Sequence, residues 1–152
     1  TRRTPDMKPR IHVITLAVAD LDRSLGFYRD GLGLPTEGLI GTEFKGDATT
    51  PEGTIVTFPL GDGLILAIYP RTELAKDAAI AFTPAKTGEL SIGHAVATRA
   101  EVDEVIAQAE AAGASVTERP HDRPWGIYSG YFQDPDGHLW EVLWNPALDV
   151  HE

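Results

Sequence analysis

The sequence predicts an α+β protein built from two copies of a β-α-β-β-β unit. A strand-like stretch followed by a helix-like stretch occurs twice, at residues 11–28 and 90–112. A glycine ends each helix pattern, at Gly33 and Gly113. Each copy then closes with two strand-like stretches joined by a glycine-containing turn. The length of 152 residues suits one compact domain with a hydrophobic core.

The first copy opens with Ile11–Val18, which is rich in β-branched residues and predicts a strand. Asp20 is a good N-cap, and Leu21, Leu25 and Tyr28 then recur at helical spacing. These signals predict a strand followed directly by a helix.

Two further strands are predicted in the first copy, Thr54–Phe58 and Leu64–Tyr69. The residues Gly61-Asp62-Gly63 between them are typical of a hairpin turn. The segment Leu39–Phe44 leaves room for one more strand. Residues 71–89 break the pattern and predict a connector, with a short helix-like stretch at Glu73–Ala81.

The second copy restarts the pattern after this connector. Asp134-Pro135-Asp136-Gly137 is an explicit turn, because proline fixes φ and glycine accepts a positive φ. When Gly63 is placed on Gly137, the flanking strands and the preceding helices of the two copies coincide, which indicates a duplication. The predicted elements are the strands Leu90–Ala97, Ser115–Thr117, Ile127–Gln133 and His138–Trp144, the helix Glu101–Ala112 and the loop Pro120–Gly126.

Composition excludes several classes of function. The net charge of −10 and the pI near 4.8 disfavour nucleic acid and anionic membranes as partners. The chain has no cysteine, which excludes disulfides, thiolate metal sites and cysteine nucleophiles and agrees with a cytoplasmic location. Met7 is a candidate for the natural first residue, which leaves open whether residues 1–6 are native.

Two motifs resemble the glyoxalase/bleomycin-resistance/extradiol-dioxygenase (vicinal oxygen chelate) superfamily. Residues 14–34 (ITLAVADLDRSLGFYRDGLGL) are similar to its opening strand and helix, and residues 130–144 (GYFQDPDGHLWEVLW) to its closing hairpin. The resemblance implies a single domain over residues 10–146, with modules 10–70 and 90–146 around the connector 71–89. It further implies that the modules form a cupped mixed sheet holding a small-molecule site, and that the protein is a homodimer.

The resemblance also implies where a metal would bind. Metal-using members place one ligand on the first strand and one on the last strand of each module. His94 and Glu141 match these positions in the second module, whereas Val13 and Ala67 occupy them in the first and offer no donor. Because a tight catalytic site usually needs three protein ligands, we expect no cofactor. The alternative is one divalent ion (Ni, Zn, Mn or Fe) on His94 and Glu141.

Glu141 is informative by itself, because it interrupts an apolar strand. Alternation places it on the face shared with Leu139 and Leu143, where a carboxylate needs a partner or an aqueous cavity. Without metal, His94 and Glu141 could still hydrogen-bond a ligand or act as an acid/base pair.

Aromatic residues are the candidates for the wall of the cup: Phe58, Tyr69, Trp125 and Tyr128. Asp134 and Asp136 are interpreted as turn formers. Three functions stay open at this point: a metal-independent protein that binds or sequesters a small metabolite or drug, a metal-dependent lyase or dioxygenase, and a metal-free isomerase or lyase. The sequence does not name the ligand.

Overall fold

The computed structural model describes residues 7–84, 86 and 88–150. Residues 1–6, whose native status the sequence leaves open, lie outside this range. The first module forms a three-stranded sheet of β1 (Val13–Val18), β2 (Val56–Pro59) and β3 (Ile65–Pro70), in the order β1-β3-β2. β1 runs parallel to β3, and β2 runs antiparallel to it.

The second module forms a four-stranded sheet in the order β4-β7-β6-β5. β4 runs parallel to β7, and the other pairs are antiparallel, so this sheet repeats the first and adds an edge strand. Its strands are β4 (Ser91–Ala95), β5 (Ser115–Asp122), β6 (Tyr128–Gln133) and β7 (Leu139–Trp144).

Three helices connect these strands. α1 (Leu21–Leu25) begins at Asp20, whose side chain accepts a hydrogen bond from the Arg23 amide at 3.0 Å, and it continues as a π-helical turn over Gly26–Gly31. α2 (Arg71–Ala78) lies in the predicted connector. α3 (Arg99–Ala111) begins at Thr98, whose hydroxyl accepts from the Glu101 amide.

The α+β class and the two mixed sheets are confirmed, with two corrections. The segment Leu39–Phe44, where the sequence leaves room for one more strand, forms no strand among the described residues, and a single bridge joins Ile40 to Ile55. β5 continues to Asp122 through the predicted loop. It can do so because Pro120 lies on an edge strand, where two shifts of register relieve the pairing that proline cannot make.

Each sheet has a core face, which packs against helices, and an outer face, which points away from the core. Leu16, Leu66, Phe132 and Val142 belong to one buried cluster, together with Ile106 of α3 and other residues. The core faces of the two modules therefore meet each other. Within the described part of the chain, no helix has the length and apolar character needed to cross a bilayer.

Candidate functional site

The pairing of β4 with β7 decides where the predicted site residues point. Gly93 is the register partner of Glu141, and His94 is the partner of Val142. Partners on parallel strands share a face, and neighbours along a strand point to opposite faces. A Cβ built on Gly93 would lie 3.5 Å from Cδ2 of Leu143, which confirms that Gly93 faces the outer side.

His94 and Glu141 therefore lie on opposite faces of the second sheet, and the structure does not bring them together. His94 shares the core face with the fully buried Val142, whereas Glu141 lies on the outer face with Leu139 and Leu143. The expectation of a joint His94–Glu141 site is thus corrected. The physical reason is that Gly93, and not His94, pairs with Glu141, and residues one position apart on a strand point to opposite faces.

The core face of the second sheet, on which His94 lies, borders a cavity of about 560 Å³ between the two modules, which we call the inter-module cavity. This volume lies within the range of about 300–1,000 Å³ that is usual for small-molecule sites. Most of its wall is aliphatic or aromatic. The lining residues are Ile14, Leu32, Leu34, Pro35, Pro59, Leu60, Gly61, Leu64, Leu66, Ile92, Gly93, His94, Val105, Gln108, Phe132, Trp140 and Val142.

Two side chains bring hydrogen-bonding capacity to this cavity from its exposed rim. The amide nitrogen of Gln108 donates to the carbonyl oxygen of Gly31 at 3.2 Å, which holds the side chain in place. The His94 ring makes no hydrogen bond within the described ranges. Although solvent reaches the ring, the surrounding walls remove part of its hydration and lower the pKa of His94, and the charge of Glu101 only partly offsets this effect.

Glu141 has a partner of its own on the outer face. The hydroxyl of Ser129 donates to Oε2 of Glu141 at 2.9 Å. Tyr131 is the register partner of Glu141 on β6, and burial followed by the Glu141 charge raises the pKa of Tyr131. The guanidinium of Arg123 lies 5.2 Å from the centre of the Tyr131 ring. The Glu141 carboxylate thus accepts its hydrogen bond from a serine hydroxyl and has no imidazole as its partner among the described residues.

A cluster of Asp134, Asp136 and His138 occupies the turn of the closing hairpin. These residues offer ligand atoms within 4.8 Å of one another, a spacing that could hold a metal ion. The carboxylate oxygens already have protein donors, however. Oδ1 of Asp134 accepts from the amides of Asp136 and His138, and Oδ2 accepts from the hydroxyl of Tyr28 at 2.6 Å.

The same cluster joins the two modules. Oδ1 of Asp136 accepts from the amide of Ala19 and from Arg23, and Oδ2 accepts from Ser24. All three donors belong to the first module. The sequence interpretation of Asp136 as a turn former therefore misses its larger role as a clamp between modules.

The clamp shifts the ionisation of its buried groups. Burial opposes the charged form of Asp134, but hydrogen bonds with His138 and Tyr28 outweigh it, so the pKa of Asp134 lies below its ordinary value. Burial, followed by the Asp134 charge, strongly raises the pKa of Tyr28. The Tyr28 hydroxyl also accepts from Nε1 of Trp140 at 3.1 Å.

The four aromatic residues expected to form one wall lie in separate places. Phe58 is fully buried in the core beside Tyr28. Tyr69 is buried on the outer side of β3, and its hydroxyl donates to the carbonyl of Glu52. Trp125 is 91% exposed at a turn.

Tyr128 donates to Asp103 at 2.6 Å and lies under the Arg99 guanidinium. None of the four lines the inter-module cavity, whose aromatic wall comes instead from Phe132 and Trp140. The rings of these two residues stack at 6.0 Å with an angle of 3°.

Comparison with known proteins identifies the group to which this architecture belongs. The family model described as Glyoxalase/Bleomycin resistance protein/Dioxygenase superfamily matches residues 10–142. The chain belongs to this superfamily. No curated protein matches the sequence.

Solved structures place the chain in the same superfamily. A glyoxalase-related enzyme from Fulvimarina pelagi is 28% identical with a TM-score of 0.78, over 94% of this chain and 93% of that one. A lactoylglutathione lyase from Agrobacterium tumefaciens is 27% identical with a TM-score of 0.66, over 95% and 100% of the two chains. A glyoxalase/bleomycin resistance protein/dioxygenase from Nocardioides shares the fold at 20% identity, with a TM-score of 0.70 over 97% and 91%.

The residues at the superfamily's metal positions do not fit a metal ion. Val13 and Ala67 carry no ligand atom on their side chains, and His94 lies on the opposite face of the second sheet from Glu141. Glu141 is therefore the one strong ligand at these positions on the outer faces, and Ser129 already bonds to it. Because a stable site for a divalent ion usually needs three protein ligands, this set does not build one.

Sequence reasoning missed the inter-module cavity, although one signal was present. Gln108 follows Val105 by three residues, so the two share one side of α3. Gln108 is thus a polar residue beside the apolar face of α3, and its position is informative in the way that Glu141's is. The other walls come from segments as distant in the chain as Ile14 and Val142, which no local pattern connects.

Proposed function

We propose that this superfamily member is a small-molecule binding protein that holds or sequesters a metabolite or drug without a metal ion. The inter-module cavity carries the proposal, because it offers about 560 Å³ of largely apolar space in an otherwise well-packed core. Binding would remove apolar surface from water on both sides, which is the main source of affinity in such sites.

The donor set on the outer faces supports the metal-independent form of this proposal. A metal-dependent lyase or dioxygenase would need ligands beside Glu141 that Val13 and Ala67 do not supply, and His94 faces the other side of the sheet. An acid/base mechanism that uses His94 and Glu141 together would need both groups on one substrate, and the sheet separates them. No step of a reaction is therefore assigned to this pair.

A thermal-shift screen of small metabolites and antibiotics tests the proposal. Ligands that bind the folded state raise the melting temperature by mass action. We expect at least one compound class to raise it equally with and without EDTA. The proposal fails if no compound stabilises the protein, or if every stabilising effect disappears when EDTA removes divalent ions.

We further propose that the protein acts as a homodimer in the cytoplasm. Apolar side chains at the entry to β1 support the dimer, since Ile11 is 69% exposed and Val13 is 51% exposed. The cysteine-free composition suits a reducing compartment. Light scattering coupled to size exclusion tests the dimer, and a monomeric mass at micromolar concentration would contradict it.

A further inference from the structure

The inter-module cavity has a buried end and an exposed end. Leu66 is 1% exposed and Phe132 is 2% exposed, and Val142 is fully buried. His94 and Gln108 are exposed residues that line the same cavity. The cavity therefore runs from an exposed rim with two polar side chains to a buried, apolar interior.

Charge restricts what can enter this interior. The lining contains no Asp, Glu, Lys or Arg side chain. A charged group carried into such a space would lose its hydration without gaining a counter-charge, at a cost of several kcal/mol. The net charge of −10 adds long-range repulsion of anions. The cavity thus selects against charged ligands.

The rim offers hydrogen bonds rather than charge. The Gln108 nitrogen is engaged with Gly31, and this orientation leaves Oε1 able to accept a hydrogen bond from a ligand. The His94 ring can accept through one nitrogen and donate through the other in its neutral form. A ligand N–H or O–H at the rim therefore finds acceptors on two elements, β4 and α3.

We propose that the inter-module cavity binds an uncharged, largely apolar molecule whose single N–H or O–H group is received at the rim by His94 and Gln108. This inference rests on the proposed small-molecule function and names its site and ligand class. The site lies on the core face of the second sheet and is separate from the outer face that carries Glu141.

Two fluorescent probes test the ligand class. N-phenyl-1-naphthylamine is neutral and carries one N–H group, whereas 1-anilinonaphthalene-8-sulfonate has the same ring system with an added sulfonate. We expect saturable fluorescence enhancement with one neutral probe per chain and affinity for the sulfonate at least about ten-fold weaker. Equal affinities, or no binding of the neutral probe, would overturn the proposal.

Paired substitutions on α3 test the location. Val105→Trp places a large ring in the cavity, and Ala107→Trp places the same ring on the exposed side of the helix. We expect Val105→Trp to weaken the neutral probe by at least about ten-fold and Ala107→Trp to leave its affinity unchanged. Circular dichroism and melting temperature confirm that both variants are folded.

The polar rim is tested by a milder change. The double variant His94→Leu/Gln108→Leu keeps the cavity apolar and removes both acceptors. We expect neutral-probe affinity to fall about five- to ten-fold, since a net hydrogen bond contributes about 1 kcal/mol. Unchanged affinity would remove His94 and Gln108 from the proposal.

An outer-face variant separates failure of this inference from failure of the proposed function. Thr15→Trp fills space on the outer face of β1. If compounds from the thermal-shift screen lose binding in Thr15→Trp and retain it in Val105→Trp, the protein binds small molecules but not in the inter-module cavity. If binding is lost only in Val105→Trp, the inference stands.

Discussion

Gly93 and Glu141 lie side by side on β4 and β7, with Gly93 leaving open the space beside the carboxylate. This relationship turns His94, the next residue along β4, toward the core and the inter-module cavity. A difference of one position along β4 thus places His94 and Glu141 on opposite faces of the sheet and in different sites.

Metal binding is expected to be weak, because Glu141 alone cannot hold a divalent ion tightly. Isothermal titration with Ni²⁺, Zn²⁺ and Mn²⁺ should give dissociation constants above about 100 μM, and Glu141→Ala should not change them. The same titration of Asp134→Asn reports on the hairpin cluster. Stoichiometric, sub-micromolar binding that Glu141→Ala abolishes would contradict our assignment of the outer face.

Protonation of His94 should weaken binding of the neutral probe. Loss of hydration lowers the pKa of His94, so the ring is neutral at pH 7 and offers an acceptor nitrogen. As the pH falls below the lowered pKa of His94, the ring gains a proton and loses this acceptor. Probe affinity should be constant from pH 7 to 8 and should decline toward pH 5.

The matched variant for this pH profile is His94→Gln, which accepts hydrogen bonds without titrating in this range. Its probe affinity should stay flat from pH 5 to 8. The pKa shift also has a sign for stability. Since the unfolded chain binds this proton more readily, the folded state loses stability as the pH drops below about 6.5. If probe affinity declines toward pH 5 as much in His94→Gln as in the natural protein, another group is responsible.

The Tyr28–Asp134 hydrogen bond should stabilise the contact between modules. Tyr28→Phe leaves a buried carboxylate without one donor and removes the acceptor of the Trp140 indole. We expect the free energy of unfolding to fall by about 2–3 kcal/mol. Tyr128→Phe is the matched control, because it removes an equally short bond to Asp103 at an exposed position and should cost at most about 0.5 kcal/mol. Urea denaturation measures both, and equal losses would refute the structural role of the buried bond.

Acid should destabilise the protein through Asp134. The folded pKa of this carboxyl is depressed, so its stabilising contribution is complete above the unfolded value of about 3.9 and is lost as the pH falls below it. Between pH 5 and 3, the free energy of unfolding should decline more steeply in the natural protein than in Asp134→Asn. Parallel pH profiles for the two proteins would argue against this linkage.

Close packing of the first module's helical segment against α3 depends on Gly31. A Cβ at this position would overlap the Cβ of Ala112, whereas a Cβ at Gly26 meets nothing within 4 Å. Gly31→Ala should therefore cost about 1–3 kcal/mol of stability. Gly26→Ala lies in a helical turn and should be neutral or stabilise by up to about 1 kcal/mol. Thermal unfolding of the pair checks the prediction, and equal melting temperatures would contradict it.

Local patterns were sufficient for most of the architecture. The turn Asp134–Gly137 and the capped helix start at Asp20 each fix a local conformation through neighbouring residues. Strand alternation likewise placed Glu141 on the correct face, with Leu139 and Leu143. These signals are short-range, so the sequence contains them in full.

The edge strand β5 shows where local patterns were insufficient. Pro120 and the charged residues around it are typical of a loop, yet the strand continues to Asp122. β5 can include them because it is an edge strand that pairs with β6 on one side and needs no partner on the other. The segment Leu39–Phe44 of the first module has a more strand-like composition than the residues around Pro120, yet it forms only the Ile40–Ile55 bridge. Pairing with a neighbour, rather than propensity, decides both cases.

The sequence by itself determined the two modules and the superfamily. It also determined that Val13 and Ala67, at the expected metal positions of the first module, offer no ligand atom. The tertiary structure decided which face each polar side chain occupies. β4 reads Ser-Ile-Gly-His-Ala, a pattern without clear alternation, so its register with β7 assigns His94 to the core side. The inter-module cavity arises only when core faces from distant segments meet, because its volume is the space that their side chains leave unfilled.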